Sequence, residues 1–388
     1  MRLLLTSLAA VGHFNSLLPL AAAARALGHE VGICTGDAFR ADAEAMGMRF
    51  FAGGASTMEE LMVDAPRHRD ERRAVWTQRT VFGTRAPQRL IPDLLRHVES
   101  WRPDVIVRES AEYAGCLVAE KVGIPHASLA TGSTGSQDDR PRLLGSVLDE
   151  RRRELGMEPD PASRMMFRYL HFALTPPRWE GDSTPSATTH HLRYENPPRA
   201  GEHRPEWLGE PRTEPLVLAS LGTLMYREPG LLQAIVEAVA DEPMQVVVVI
   251  GDQDPASFGS QPRNVRFAER VPQITVLSEC DLFITHGGFN STKEALSFGL
   301  PLVVLPIGGD QPFTARRVAA LGLGLAVAPE EREPDIIRAR VRRVLQEPEF
   351  RASARAFADE MEALPPMSHA VGLLERLVQE KRPILRES

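Results

Sequence analysis

Residues Leu282 to Pro312 read LFITHGGFNSTKEALSFGLPLVVLPIGGDQP, and the fold follows from this stretch. A short apolar run, Leu282 to Ile284, stops at Thr285-His286-Gly287-Gly288, where a helix begins. Asn290, Ser291 and Thr292 stand where N-cap residues belong, and Glu294 falls three after Ser291, as in a capping box. The helix reads through Ala295, Leu296 and Phe298 and ends at Gly299, with Pro301 beyond it. A second apolar run, Leu302 to Leu305, follows. Strand, glycine turn, helix and strand make the right-handed crossover of a parallel sheet.

The turn admits two readings. One is an ordinary connection with an ordinary cap. The other is a phosphate site, because the first N–H groups of a helix lack partners and carry partial positive charge. Two glycines let a ligand approach the backbone. The density of His286, Asn290, Ser291, Thr292 and Glu294 favours the second reading. Asp310 and Gln311 add to it, lying just past the next strand, where ligands of open α/β sheets bind.

Composition sets the frame. A chain of 388 residues suits two domains rather than one core. A net charge of −7 gives no reason to expect nucleic acid or an anionic membrane as partner. Cys34, Cys116 and Cys280 lie far apart in apolar runs and read as buried free thiols in a reducing compartment. The start, Met1 to Leu5, faintly resembles a signal peptide, but its apolar run breaks at Gly12-His13, and no charge-free membrane span follows. It is read as a first strand, and the protein as cytoplasmic.

Arg2 to Leu8 is expected as a strand, Gly12 to Ser16 as a turn and Leu17 to Leu27 as a helix. Strands at Glu30–Cys34 and Met48–Phe51 complete a doubly wound start, with Asp37 capping the helix between them. No Gly-x-Gly-x-x-Gly stands in the first turn, which argues against dinucleotide binding there. Residues 53 to about 100 are polar, Arg-rich and less regular, and read as helices with mobile loops; Pro103–Val107 is the next clear strand. Beyond Thr131 strands look scarce, and Val147–Leu155 and Arg164–Leu174 read as charged helices. Pro, Gly and charge concentrate from Asn196 to Pro215. The division is therefore 1–200, a linker at 201–215, and 216–388, with the last helix a candidate to pack back on the first domain. The second half alternates more cleanly, with strands at Leu216–Leu221, Gln245–Ile250 and Val265–Ala268 before the opening stretch.

His286 to Ala295, with Pro306 and Asp310-Gln311, resembles the donor-binding signature of glycosyltransferase family 1. Gly12-His13, Ser220-Leu221-Gly222-Thr223 and Val271-Pro272-Gln273 match the family in order. The branch it resembles is bacterial and glycosylates natural products such as polyketide antibiotics. The resemblance implies the GT-B fold: α/β, two Rossmann-like doubly wound parallel-sheet domains facing across a cleft. It implies an N-terminal domain for the acceptor and a C-terminal one for a UDP- or dTDP-sugar. The implied reaction is an inverting, metal-independent sugar transfer, with no cofactor beyond the nucleotide-sugar co-substrate.

Residue by residue, the resemblance makes His13 the general base. On position alone a solvent-exposed loop histidine is the favoured reading, and the resemblance reverses it. A neutral imidazole suits proton removal near pH 7. Glu109 stands where the family often has an Asp that holds the base; it also suits a helix-capping acid. The diphosphate is expected on His286, Gly287, Gly288, Asn290 and Ser291, with Ser220 and Thr223 opposite. Arg270, Val271, Gln273 and Glu294 are the nucleoside candidates, Glu294 keeping its capping-box alternative. Asp310 and Gln311 would bind the donor sugar. Acceptor walls are sought at Phe14, Met58, Trp76, Phe82, Ser133, Met165, Phe167 and Tyr169. Asp252-Gln253-Asp254 is read as a solvated turn rather than a metal motif, and His190-His191 as loop. A sugar-nucleotide epimerase on the same fold, a non-catalytic auxiliary of a partner transferase, and a homodimer remain open.

Overall fold

A computed structural model describes residues 1–66, 71–132, 139–182, 185–195, 203–228 and 230–386. The chain forms two compact units, residues 1–197 with 364–388, and residues 198–363. The last helix thus groups with the first unit rather than with 216–388, and residues 196–202 of the expected linker region lie outside the described residues.

The first unit holds β1 (Arg2–Thr6), β2 (Glu30–Thr35), β3 (Arg49–Ala52), β4 (Val105–Glu109), β5 (His126–Leu129), β6 (His171–Ala173) and β7 (Thr189–His191). They form one sheet in the order β3-β2-β1-β4-β5-β6-β7, and every pair is parallel. The chain winds from β1 outward to β3, then returns to the centre and winds the other way from β4. The reversal lies between β1 and β4. All five residues of β4 are buried, as a strand covered on both faces requires.

The second unit repeats the plan with β8 (Leu216–Ser220), β9 (Gln245–Val249), β10 (Val265–Ala268), β11 (Leu282–Thr285), β12 (Leu302–Val304) and β13 (Gly324–Ala326). The order is β10-β9-β8-β11-β12-β13, again parallel throughout. Here the winding reverses between β8 and β11.

Several local expectations change. The helix after β1 spans Val11–Ala26, so His13 stands in its first turn and not in a loop. Ala10 is the N-cap and offers no side-chain cap, and Pro19 sits inside the helix; both features hid its true start. Asp37 is inside its own short helix and pairs with Arg40 at 2.7 Å instead of capping. Arg164–Leu174 is no helix: a single turn, Arg164–Phe167, gives way to β6. His190 and His191 lie on β7, a strand too short to show a period. The capping box is absent, because the helix begins at Phe289 with Gly288 as N-cap. All three cysteines are buried and free.

The helix Met367–Glu380 closes the first unit. It lays Met367, Ala370, Val371, Leu373, Leu374 and Leu377 into the core formed by β1, β2 and the helix Val11–Ala26. Past it, the Ile384 and Arg386 N–H groups donate to the carbonyls of Tyr169 and Ala187, each within 2.9 Å. Among the described residues no helix is long and apolar enough to cross a membrane.

Candidate active site

Each sheet puts its candidate residues at the carboxyl ends of the two strands where its winding reverses. Loops diverge there and leave a crevice, the usual ligand position in open parallel sheets. In the first unit these strands are β1, which leads to His13, and β4, which ends at Glu109.

His13 Nδ1 lies 2.9 Å from Glu109 Oε1; the His13 side chain is 25% exposed and that of Glu109 is 0% exposed. The other carboxylate oxygen, Oε2, accepts from Ala111 N–H at 2.6 Å and from the Thr131 hydroxyl at 2.9 Å. Ser110 Oγ is 3.1 Å from Thr131 Oγ1, so its part is to hold the threonine. Burial pushes the Glu109 carboxyl up, but the neighbouring His13 charge and the bonds from His13, Ala111 and Thr131 outweigh it. The net direction is down, and the group is an anion at neutral pH. An anion at Nδ1 fixes the proton there and makes Nε2 the basic nitrogen of the ring. Thr131 and the Ala111 amide were invisible to motif reading. The only signal was that Thr131 closely follows β5, the neighbour of β4.

The Phe82 ring stands 6.2 Å from His13, centroid to centroid. Met58, Met62, Trp76 and Phe82 pack on Leu8, Ala55, Leu61, Val81 and Ala86 in a small apolar cluster with Ala111. Three of the expected acceptor residues, Met58, Trp76 and Phe82, therefore share one apolar cluster, and Phe82 is the member that reaches His13. Phe14 and Met165 do not: both are fully buried core residues, Phe14 stacked on Phe39 at 4.8 Å. Their helical spacing reflects packing, and they present no surface to an acceptor. Phe167 and Tyr169 are partly buried and lean edge-on against His171 and His126. Ser133 lies outside the described residues.

In the second unit β11 leads to His286 and β8 ends at Ser220; Ser220 and Thr285 are register partners. The His286 ring sits between two glycines. A Cβ on Gly222 would come within 2.7 Å of the ring, and one on Gly288 within 2.5 Å. Gly222 also holds φ +72° and Gly287 φ +85°, conformations that disfavour any side chain. Burial depresses the His286 imidazole to about 4, and the Ser220 carbonyl partly opposes this. The free ring is neutral at pH 7. Thr223 is exposed on the short helix Gly222–Met225.

Gln273 bridges the nucleoside candidates: its Nε2 donates to Glu294 Oε2 at 2.6 Å and to Ser291 Oγ at 3.2 Å. Glu294 thus faces Gln273 rather than its own helix start. Arg270 is exposed, and Val271 is half-buried. Gln311 turns its carbonyl oxygen back on its own loop, accepting from Ile307 N–H at 2.7 Å and Gly308 N–H at 2.9 Å. Asp310 beside it is half-buried. Asp252-Gln253-Asp254 forms an exposed turn. Asp252 pairs with Arg227, and Asp254 caps the turn Pro255–Phe258.

Two doubly wound parallel-sheet units with crevices of this kind fit the GT-B class of glycosyltransferases. Comparison with known proteins agrees. The models for erythromycin biosynthesis protein CIII-like, N-terminal and C-terminal domains, match residues 22–190 and 233–377. The 3-alpha-mycarosylerythronolide B desosaminyl transferase of Saccharopolyspora erythraea is 29% identical, covering 98% of this chain and 99% of that protein. Elloramycin glycosyltransferase ElmGT of Streptomyces olivaceus is 32% identical over 94% of each chain. The structure of the Streptomyces sp. glycosyltransferase SsfS6, complexed with thymidine diphosphate, superposes with a TM-score of 0.79 at 27% identity, covering 97% and 99% of the two chains. The chain belongs to the erythromycin biosynthesis protein CIII-like glycosyltransferases, within glycosyltransferase family 1. It is an enzyme of the transferase class.

Proposed function

We propose that the protein transfers a sugar from a UDP- or dTDP-sugar to a hydroxyl of a small natural-product aglycone of polyketide type. The observation that carries this is the 2.9 Å pairing of His13 Nδ1 with the buried Glu109 carboxylate. Such a pair leaves Nε2 to take the acceptor proton as the hydroxyl oxygen attacks the anomeric carbon, and Glu109 supports the imidazolium that forms. A single displacement inverts that carbon. No metal is invoked, since the leaving diphosphate can be stabilised by local donors: the N–H groups from Gly287 to Ser291, the Ser291 hydroxyl and His286. Gln273 and Glu294 would take the nucleoside, and Asp310 with the Gln311 amide the sugar. The first unit is the acceptor side, with Met58, Trp76 and Phe82 as its apolar wall. A relative named as a 3-alpha-mycarosylerythronolide B desosaminyl transferase, and the SsfS6 glycosyltransferase complexed with thymidine diphosphate, support this choice of substrates.

The test has two arms. His13→Ala should lower kcat by about 10²–10⁴-fold while leaving nucleoside diphosphate affinity intact. His286→Ala should do the opposite first, weakening dTDP or UDP binding in a thermal-shift titration. Unchanged turnover in the first variant removes His13 as base; unchanged binding in the second removes the diphosphate assignment.

A further inference from the structure

Arg108 is the penultimate residue of β4 and is 0% exposed. It pairs in register with Thr6 on β1 and Ser128 on β5, so it sits at the centre of the sheet. A buried charge costs several kcal/mol unless it is well satisfied. Here the partners are unusual. Nη1 donates to the carbonyls of Glu109 at 3.2 Å, Ser110 at 3.0 Å and Glu112 at 3.1 Å. Nη2 donates to the Met166 carbonyl at 2.8 Å, and the guanidinium lies 5.2 Å from the Tyr113 ring centroid. All four hydrogen bonds end on backbone carbonyls, three of them in the loop that carries Glu109.

That loop has a demanding shape. It must bring the Ala111 N–H back onto Glu109 Oε2, and it must place the Glu112 carboxylate on the N–H groups of Ala114 and Gly115 at the next helix start. With the Ala111 amide turned onto the Glu109 carboxylate, the carbonyls of Glu109, Ser110 and Glu112 face the Arg108 guanidinium instead. One planar fork serves two sides at once, Nη1 the three loop carbonyls and Nη2 the Met166 carbonyl, whereas the three donors of an ammonium radiate from one point and do not span both. Placing a cation there also favours an anion in the same loop.

We infer that Arg108 is a positioning residue for the reaction: its guanidinium shapes the 109–112 loop so that the Glu109 carboxylate is aimed at His13. This rests on the reading of His13 and Glu109 as the base and its partner. The test is a double-mutant cycle on the full chain. Arg108→Lys should lower kcat at least tenfold with both KM values within twofold of wild type. The acid limb of the kcat profile should move as well. Because Arg108 acts through Glu109, the double variant Arg108→Lys, Glu109→Gln should be no slower than Glu109→Gln alone. Multiplicative losses in the double variant, or full activity of Arg108→Lys, would overturn the inference. If Arg108→Lys does not fold, hydrogen exchange on Glu109→Ala decides. The Glu112 amide, which donates to the Glu109 carbonyl at 3.2 Å, should stay protected when Arg108 holds the loop. Loss of that protection refutes the role. Full activity of both His13→Ala and Glu109→Gln would instead defeat the underlying assignment, whatever Arg108 does.

Discussion

His286 is kept neutral by what surrounds it, and this has a measurable consequence. Its folded value of about 4 lies below the ordinary histidine value of about 6.5. Between those values the unfolded chain binds the extra proton, so this contribution to stability is complete above about pH 6.5. It declines as the pH falls through 4, by about 3 kcal/mol in all. His286→Gln does not titrate there. Denaturant unfolding of the two proteins should therefore show wild type losing its advantage over that window; a constant gap would mean the ring is not buried in solution. The flanking glycines give a steric prediction. Gly288→Ala forces a methyl to within 2.5 Å of the ring and should cost about 1–3 kcal/mol in stability. It should also weaken nucleoside diphosphate binding by about tenfold, or 1.4 kcal/mol. Calorimetric titration reads the second effect independently of the first. The motif at His286 was plain in the sequence. The partner at Gly222, 64 positions upstream, was not, because only the register of β8 on β11 brings them together.

At the scale of elements, the segment expected as helices with mobile loops holds an uncommon helix. Thr77–Arg85 is a nine-residue π-helix, continuous with the helix Ala86–Trp101. Such wide turns are rare and often mark functional sites. Thr84 Oγ1 donates to the Arg79 carbonyl at 2.9 Å, and Arg79 Nη1 donates to the Leu143 carbonyl, tying the π segment to the helix Asp139–Glu154. Gly83 packs against that helix; a Cβ would stand 3.2 Å from both Leu144 and Val147. Gly83→Ala should push the segment away, at about 1–2 kcal/mol. With Phe82 adjacent, the acceptor KM should rise while the donor KM stays put, which bisubstrate kinetics would resolve. No sequence period announces a π-helix, since its five-residue hydrogen bonds match neither helix nor strand templates. The strands β6 and β7 escaped for a simpler reason: three residues are too few to show alternation.

At the scale of the whole molecule, the C-terminal residues complete a core that begins at the N-terminus. Met367, Leu373, Leu374, Leu377 and Ile384 are buried with Leu3, Leu5, Leu17 and Leu20. Each large apolar side chain contributes about 1.5–3 kcal/mol on burial, so losing them together exceeds much of a typical domain's 5–15 kcal/mol. A chain ending at Ala363 should lose the cooperative unfolding transition of the first unit. Calorimetry on the full and shortened chains would read this directly; an unchanged transition would falsify the dependence.

The sequence by itself determined the parallel α/β class, most strand positions, the family and the position of the glycine-turn motif. All of these are written in local patterns: apolar runs, glycine turns and a dense helix start. It also named His13 and Glu109, though through resemblance rather than spacing, for they lie on separate strands. Only the tertiary structure decided that they meet, because β1 and β4 become neighbours where the winding reverses. The same holds for Thr131 and Arg108 around Glu109, and for Phe14 and Met165 as core rather than acceptor wall. Contacts between distant segments depend on strand order and packing, which no local pattern encodes. The stretch from Leu282 to Pro312 therefore reads the same in both, apart from its cap, whereas the first unit's site exists only once its sheet has formed.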